Sequence, residues 1–293
     1  MRIAIFGKQF SVSFRSSCSN LFRKLNQHDT EIIIYKPFYD YLMGHIDVKP
    51  QVNGFFESSE ELVDIDLFIS IGGDGTMLKA VTFVRDSGIP IVGINSGRLG
   101  FLADIAKESI DSAIDSIFKG DYTYSSLDLL QVNTPNNPFG DMNFALNELA
   151  VHRRDTASMI SIHTYIDNEF LNSYFADGLI VATAVGSTAY SLSVGGPIIH
   201  PKSKSLIISP ISSHNLTVRP IVVPNDMNIT LKVEGRADKF LVTLDSRSRI
   251  VDQGYELNIR KADFCVNVID LPGINFNSTL RNKLMWGADK RNY

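Results

Sequence analysis

The chain reads as α/β + all-β, an N-terminal Rossmann-like α/β domain followed by a C-terminal β-sandwich-like domain, and three features of its 293 residues predict this. Short apolar runs alternate with helical patterns through the first third, the arrangement of βα units on a parallel sheet. One of those runs ends directly in a glycine-rich loop. After Gly120 the texture changes to strand-length runs separated by turn residues, with no long helix among them.

Taken in order, the first apolar run, Arg2–Phe6, stops at Gly7. Glu31–Tyr35, Leu67–Ile71 and Pro90–Ile94 follow as buried strands. Helices are expected near residues 11–27 and 76–86, the latter running through Met77–Arg85. A third is expected over Glu108–Phe118, where Ile110, Ala113, Ile114, Ile117 and Phe118 share one face. In the second part Met159–Asp167 alternates, with Ile160, Ile162, Thr164 and Ile166 on one side and Ser161, His163 and Tyr165 on the other. Asp167-Asn168 suits a tight turn into Phe170–Phe175. Further strands are expected at Leu179–Thr183, Ile221–Val223, Ile229–Val233, Phe240–Leu244, Tyr255–Ile259 and Phe264–Ile269, and a long helix is left open only after Thr188. A tail helix over Ser278–Met285, with Ser278 as N-cap, comes too late for that sheet and is expected to pack back on the first domain. The domains are therefore drawn as 1–120 plus 271–293, carrying the glycine-rich loop, and 121–270.

Composition excludes several classes. A 44% hydrophobic content allows a sizeable core and excludes wholesale disorder. Cys18 and Cys265 alone cannot build a disulfide framework or a multi-cysteine metal site. Asp+Glu of 32 against Lys+Arg of 28, without long runs of either sign, argues against nucleic acid or a membrane surface as partner. The N-terminal apolar stretch is too short for a signal-peptide core, and the uncharged stretch 178–201 is interrupted by Gly186, Gly195, Gly196 and Pro197. A soluble, cytoplasmic protein is expected.

The sharpest chemical signal is Gly72-Gly73-Asp74-Gly75-Thr76 between a strand and a helix. Such a loop brings backbone N–H groups and a helix N-terminus to phosphate oxygens. It fits neither the spaced-glycine dinucleotide fingerprint nor a P-loop. The carboxylate at its centre repels phosphate and so needs a task. Three tasks stay open for Asp74: accepting a proton from an attacking hydroxyl, helping to hold a divalent cation, or capping the following helix. A second loop, Asn95-Ser96-Gly97-Arg98-Leu99-Gly100-Phe101, follows the next strand, where α/β sheets bind ligands. Phe101 could stack on an aromatic ring or belong to the core. Asn147-Glu148 lies inside an apolar stretch; the pair can bracket a ribose diol only if a bend re-aims one side chain, since a strand would point them to opposite faces. Asp177 to Pro197 concentrates glycines and hydroxyls, suiting either tight packing or a polar, uncharged pocket wall. Within it Tyr190 could donate to a phosphate and Asp177 accept from an amide or amino group.

The six His show no zinc spacing, and Ser187 has no matched acid and base. His200 is read as structural, Arg153-Arg154 as a solvated strand edge with a phosphate contact open, and Cys18 as helix core.

With these elements in this order, the sequence resembles the bacterial-type NAD kinase (ATP-NAD kinase) family. The matching segments are residues 72–76, Asn-Ser-Gly-Arg-Leu-Gly-Phe-Leu at 95–102, Leu-Asn-Glu at 146–148 and Asp-Gly-Leu-Ile-Val-Ala-Thr at 177–183. Gly-Ser-Thr-Ala-Tyr at 186–190, Gly-Gly-Pro-Ile-Ile-His-Pro at 195–201 and Arg219-Pro220 complete the set. The resemblance implies transfer of the γ-phosphate of ATP to the 2′-hydroxyl of the adenosine ribose of NAD, with Asp74 as proton acceptor. Gly72, Gly73, Gly75 and Thr76 would form the phosphate loop, and Lys79 would be a candidate phosphate contact. Phe101 would lie on the adenine, and Asn147 and Glu148 would hold the nicotinamide-side ribose. Asp74, Gly75, Asp177, Val185, Thr188, Ala189, Tyr190, Ser191, Leu192 and Ser193 would complete the dinucleotide contacts, most of them in the 121–270 domain. A divalent cation, Mg²⁺ by preference, would bridge the donor phosphates, its protein ligands unassigned. A homodimer or homotetramer is implied as well.

Departures from the family pattern are Ser246-Arg247 in place of Gly-Gln, Ser158, and Phe175 where relatives carry polar or basic residues. The first puts the contacts drawn from that Gln in doubt, and the other two bear on NAD against NADH, which stays open; the phosphate donor is taken as ATP, polyphosphate use having no legible signature. A diacylglycerol- or sphingosine-type lipid kinase shares the first motif but not Asn147-Glu148 or 186–190. A non-catalytic dinucleotide sensor would not need Asp74.

Overall fold

Buried apolar runs of five or six residues become the parallel strands of the first of two units. The computed structural model describes residues 1–154, 159–236 and 238–287. One unit comprises Met1–Ser126 and the chain from Val266 onward, the other Leu127–Cys265.

In the first unit, β1 (Arg2–Gly7), β2 (Glu31–Tyr35), β3 (Gly54–Phe56), β4 (Leu67–Gly72) and β5 (Ile91–Asn95) lie in the order β3-β2-β1-β4-β5, all parallel. The order reverses between β1 and β4, the kind of switch point at whose carboxyl ends α/β sheets bind ligands. Helix α1 (Arg15–Leu25) buries Cys18, Leu21, Phe22 and Leu25, so Cys18 is core as expected. Helix α2 (Lys36–His45) was not legible in the aromatic-rich sequence. It starts directly after β2 with Pro37 in its first turn and buries Phe38 and Leu42. Helix α3 (Asp74–Val84) begins ahead of the expected Met77 because Gly73 is its N-cap. Helix α4 (Ile110–Lys119) buries Ile110, Ala113, Ile114 and Ile117, and ends at Gly120 in the left-handed conformation.

The second unit packs two antiparallel layers. β6 (Thr123–Asn133) enters it, followed by β7 (Phe144–Ala145) and β8 (Glu148–Arg153). β9 (Ile160–Ile166) and β10 (Glu169–Ala176) form a hairpin whose turn residues Asp167 and Asn168 both have positive φ, the primed-turn geometry expected from that dipeptide. Then come β11 (Gly178–Thr183), the one-turn α5 (Tyr190–Ser193), β12 (Ser205–Ile211), β13 (Ile221–Pro224) and β14 (Ile229–Gly235). β15 (Lys239–Leu244), β16 (Arg247–Asp252) and β17 (Glu256–Asp270) complete the strands. One layer runs β13-β12-β11-β8-β15-β16, and the other holds β10-β9-β14-β17 with β6 on β17. Leu149, Val151, Leu179, Val181 and Val242 from the first layer meet Ile162, Leu231 and Leu257 from the second in one core. The two runs expected at 255–259 and 264–269 are a single strand. Ala262 is buried between them while Lys261 and Asp263 face water, so the alternation continues through a charged stretch. β16 escaped notice because, at the edge of its sheet, it buries Val251 alone.

Every residue of β11 is buried. Leu179 and Val181 face the sandwich core, while Ile180 and Ala182 lie with Ile207 under Val194 and Ile199 of the 185–199 segment. The tail helix α6 (Phe276–Leu284) belongs to the first unit and starts earlier than expected. Asn275 is the N-cap, and Ser278 is its capping-box partner three residues on. Among the described residues no helix is long and apolar enough to cross a membrane.

Candidate active-site residues

The Gly72–Thr76 loop leaves the carboxyl end of β4 and turns at once into α3. Asp74 does not cap that helix, which corrects one of its three readings. Its side chain instead reaches the second glycine loop. Oδ2 accepts the Phe101 N–H (3.0 Å), and Oδ1 accepts those of Leu102 (3.0 Å) and Ala103 (3.1 Å). Lys283 Nζ, from α6, lies 3.3 Å from Oδ2. Gly100 is required here, because a Cβ would fall 1.9 Å from Asp74 Oδ1. Asn95 organises the same loop from its buried position. Its Nδ2 donates to the Arg98 and Ala103 carbonyls and its Oδ1 accepts from the Gly97 N–H. Burial pushes the Asp74 carboxyl up. The three N–H groups and the Lys283 charge outweigh that and hold it below the usual carboxylate range. It is an anion at neutral pH.

Phe101 is half-buried, with Phe276 at 6.1 Å and the Lys283 ammonium 4.7 Å from its ring centre. Thr76 is buried and Lys79 exposed, the latter with its ammonium 5.4 Å from the Phe83 ring. Asp104 follows the cradle and carries a carboxyl raised to about 7 by burial, with Asp270 and Asp74 adding repulsion.

In the second unit, Asn147 stands in a bend between β7 and β8, and Glu148 opens β8, so the re-aiming bend is present. Both side chains are buried. The bend is held by Asp245, whose carboxylate accepts the N–H groups of Leu146, Asn147 and Glu148 at 3.0, 2.8 and 3.2 Å. Asp245 adopts φ 51° in the turn between β15 and β16. Its carboxyl is raised by burial despite those bonds and despite Arg247. Glu148 is raised to about 8 by burial and by the Asp245 charge, against the Tyr190 backbone N–H. Its Oε2 is buried without a hydrogen-bond partner among the described residues. Gly186 packs directly on this bend, since a Cβ there would lie 2.1 Å from the Asn147 carbonyl oxygen. Thr183 Oγ1 donates to the Leu146 carbonyl and accepts the Gly186 N–H.

The 185–193 segment divides by exposure. Val185 and Ser191 are buried, the Ser191 hydroxyl 3.2 Å from Ser209 Oγ. Thr188, Ala189, Leu192, Ser193 and Tyr190 are half-buried or exposed, with Tyr190 stacked on His152 at 5.7 Å. Ser187 bridges the Ile199 carbonyl and N–H, a structural role. Asp177 pairs with Arg153 at 3.0 Å, so Arg153 is not a solvated edge residue, while Arg154 is exposed. Arg247 donates to the Met142 and Phe144 carbonyls and stacks on the Phe144 ring, so it braces the chain leading to Asn147. Phe175 is exposed and Ser158 lies outside the described residues.

Sequence reading missed Asp245 and Lys283 as parts of these constellations. One reads locally as a turn residue, the other as a charge on an amphipathic tail. Among the described residues no group of three or more His, Cys, Asp or Glu side chains converges as a metal cage.

Comparison with known proteins follows the same lines. Residues 10–122 match the ATP-NAD kinase N-terminal domain, and residues 146–271 the ATP-NAD kinase C-terminal domain. An NAD kinase of Flavobacterium johnsoniae is 47% identical over 294 residues, covering 100% of both chains. Among solved structures, an NAD kinase from Archaeoglobus fulgidus in complex with ATP is similar at a TM-score of 0.72 and 27% identity, over 97% of this chain and 98% of that one. Yeast NADH kinase complexed with NADH shares the fold at a TM-score of 0.87 and 20% identity, over 100% and 89% of the two chains.

Proposed function

The chain belongs to the ATP-NAD kinase family and is a phosphotransferase, and from that premise we propose that it phosphorylates the 2′-hydroxyl of the adenosine ribose of NAD with MgATP as donor. The hydroxyl oxygen attacks the γ-phosphorus, the bond to the β–γ bridging oxygen breaks, ADP leaves, and the hydroxyl proton passes to Asp74. The observation that carries this reading is the Asp74 carboxylate itself, ionised and fixed by three N–H groups beside the Gly72–Thr76 loop.

A carboxylate offers about four acceptor sites, and here three N–H groups and Lys283 occupy them. The substrate hydroxyl therefore takes the place of the Lys283 ammonium at Oδ2. A lowered pKa makes Asp74 a weak base, which suits phosphoryl transfer, where orientation and charge matter more than early proton removal. Gly72, Gly73, Gly75 and Thr76 face the donor phosphates, with Lys79 as a further cation. Phe101 takes the adenine, and Asn147 and Glu148 take the nicotinamide-side ribose. Asp177, Val185 and residues 188–193 serve the remaining dinucleotide groups. A Mg²⁺ ion bound to the triphosphate would offset its repulsion by Asp74. The working protein is a cytoplasmic homo-oligomer, supported by Phe170 and Phe175 exposed on the edge strand β10; light scattering after gel filtration that gives one chain's mass overturns the assembly.

The test is NADP⁺ formation by purified protein with ATP, Mg²⁺ and NAD⁺, run beside NADH and polyphosphate. Product from ATP and NAD⁺ is the expected result. Absence of product from every pair, with NAD⁺ still bound, would instead identify a dinucleotide sensor.

A further inference from the structure

Helix α6 lays two side chains across the Asp74 cradle. The Lys283 ammonium lies 3.3 Å from Asp74 Oδ2 and 4.7 Å from the centre of the Phe101 ring. Phe276, at the other end of the helix, packs on the same ring at 6.1 Å. One helix therefore covers both the last acceptor position of Asp74 and the Phe101 ring. Those are the two features that the proposed reaction gives to the acceptor's adenosine. The helix itself is lightly held. It buries Thr279 alone among its described residues, with Phe276, Leu280 and Leu284 half-buried. Met285, which ends it in the left-handed conformation, and Trp286 beyond it are exposed. The chain leading into it is fixed, since Leu271 is buried and Ile274 packs on the core of the first unit. Pro272-Gly273 turns the chain between those two anchors, Gly273 at φ 82°. A helix with few buried apolar contacts beyond a fixed pivot opens locally while the sheet behind it stays intact.

We propose that α6 is a substrate-released latch: Lys283 competes with the ribose hydroxyl for Asp74 Oδ2, and the helix moves off Asp74 and Phe101 as the adenosine of the acceptor binds. The inference rests on Asp74 and Phe101 receiving that adenosine. A partly exposed ion pair and a cation on a partly exposed ring are both weak and reversible, as contacts must be that give way at every turnover. The latch lowers the apparent affinity for the acceptor in proportion to the fraction of molecules in which it is closed. Removing its cation therefore tightens acceptor binding, the opposite of what loss of a substrate contact does.

Trp286 is the single tryptophan of the chain and stands three residues beyond Lys283, so its fluorescence reports on α6. Titration of the wild-type protein with NAD⁺ is expected to change Trp286 emission saturably, with the midpoint at the Kd given by calorimetry. In Lys283→Met that change should shrink, and the KM for NAD⁺ should fall by about two- to fivefold. Lys283→Arg, which keeps the cation, should behave as wild type in both measurements. NAD⁺ binding by calorimetry without a change in Trp286 emission overturns the proposal. An unchanged or raised KM for NAD⁺ in Lys283→Met overturns it too. Absence of NAD⁺ binding to the wild-type protein removes the dinucleotide reading itself, whereas normal binding and turnover with a silent Trp286 removes only the latch.

Discussion

Asp74 in the first unit and Asp245 in the second each accept the backbone N–H groups of three consecutive residues, 101–103 and 146–148, yet their carboxyls shift in opposite directions. The hydrogen bonds are nearly the same in number and length. What differs is water and neighbouring charge. The Asp74 side chain is 30% exposed and has the Lys283 ammonium at 3.3 Å. The Asp245 side chain is 5% exposed, Arg247 is no closer than 3.9 Å, and Glu148 brings a second carboxyl beside it. Three N–H donors therefore secure an anion only where solvent and a cation assist; deep in the sandwich, desolvation wins. The consequence is a division of roles. Asp74 stays charged and partly open, suited to a reacting hydroxyl. Asp245 is enclosed, and its use is to shape the bend that presents Asn147 and Glu148.

The largest effect that tests this contrast is expected from Asp74→Asn. Turnover should fall by about 10²–10⁴-fold with NAD⁺ binding retained; a loss below tenfold would show that another group takes the proton. Asp74 also stabilises the fold at every pH above its usual value near 3.8, and that contribution is lost only as pH falls through its lower folded value. Asp245→Asn should act on binding instead, raising the KM for NAD⁺ on the order of tenfold or more with a smaller change in kcat. Equal loss of kcat at constant KM would erase the distinction between the two carboxylates.

A third test uses pH. Glu148, near 4.5 when unfolded and about 8 when folded, keeps a proton in the native state that the unfolded chain has already released. Stability therefore falls as pH rises through that window. Glu148→Gln removes the effect, so its melting temperature should gain on wild type between pH 5 and pH 8.5, by roughly 5 °C or more. The gap should narrow but persist when Asp245→Asn is added, because burial still lifts Glu148 once the neighbouring charge is gone. A pH-independent gap contradicts the buried-acid account. The smallest change is expected from Lys283→Met. Its half-exposed contact with Asp74 is worth at most about 1 kcal/mol, so kcat/KM should move within roughly fivefold. A loss comparable with that of Asp74→Asn would make the lysine part of the reaction.

Much of this was legible in the chain because it is local. The strands β1, β2, β4 and β5 follow from short apolar runs with clear ends, and the β9–β10 hairpin from alternation around Asp167-Asn168. The kinase family follows from motifs whose glycines, hydroxyls and single acids stand at fixed spacings. Elements whose sequence signal is weak alone, such as α2, β16 and the charged middle of β17, depend on neighbours for their burial or pairing and escaped a one-dimensional reading.

The residue types at the candidate site, and the chemistry open to them, were determined by the sequence. That Asp74 does not cap its own helix was decided only by tertiary structure. Its carboxylate turns away from the helix it precedes and binds a loop 27 to 29 residues further on, while a lysine 209 residues away meets one oxygen. Likewise Asp245 looks from the sequence like a turn residue and in the fold supports the bend at Asn147 from about a hundred positions away. Charge state and hydrogen-bond partners depend on burial and on groups remote in the chain, and those exist only once the chain has folded.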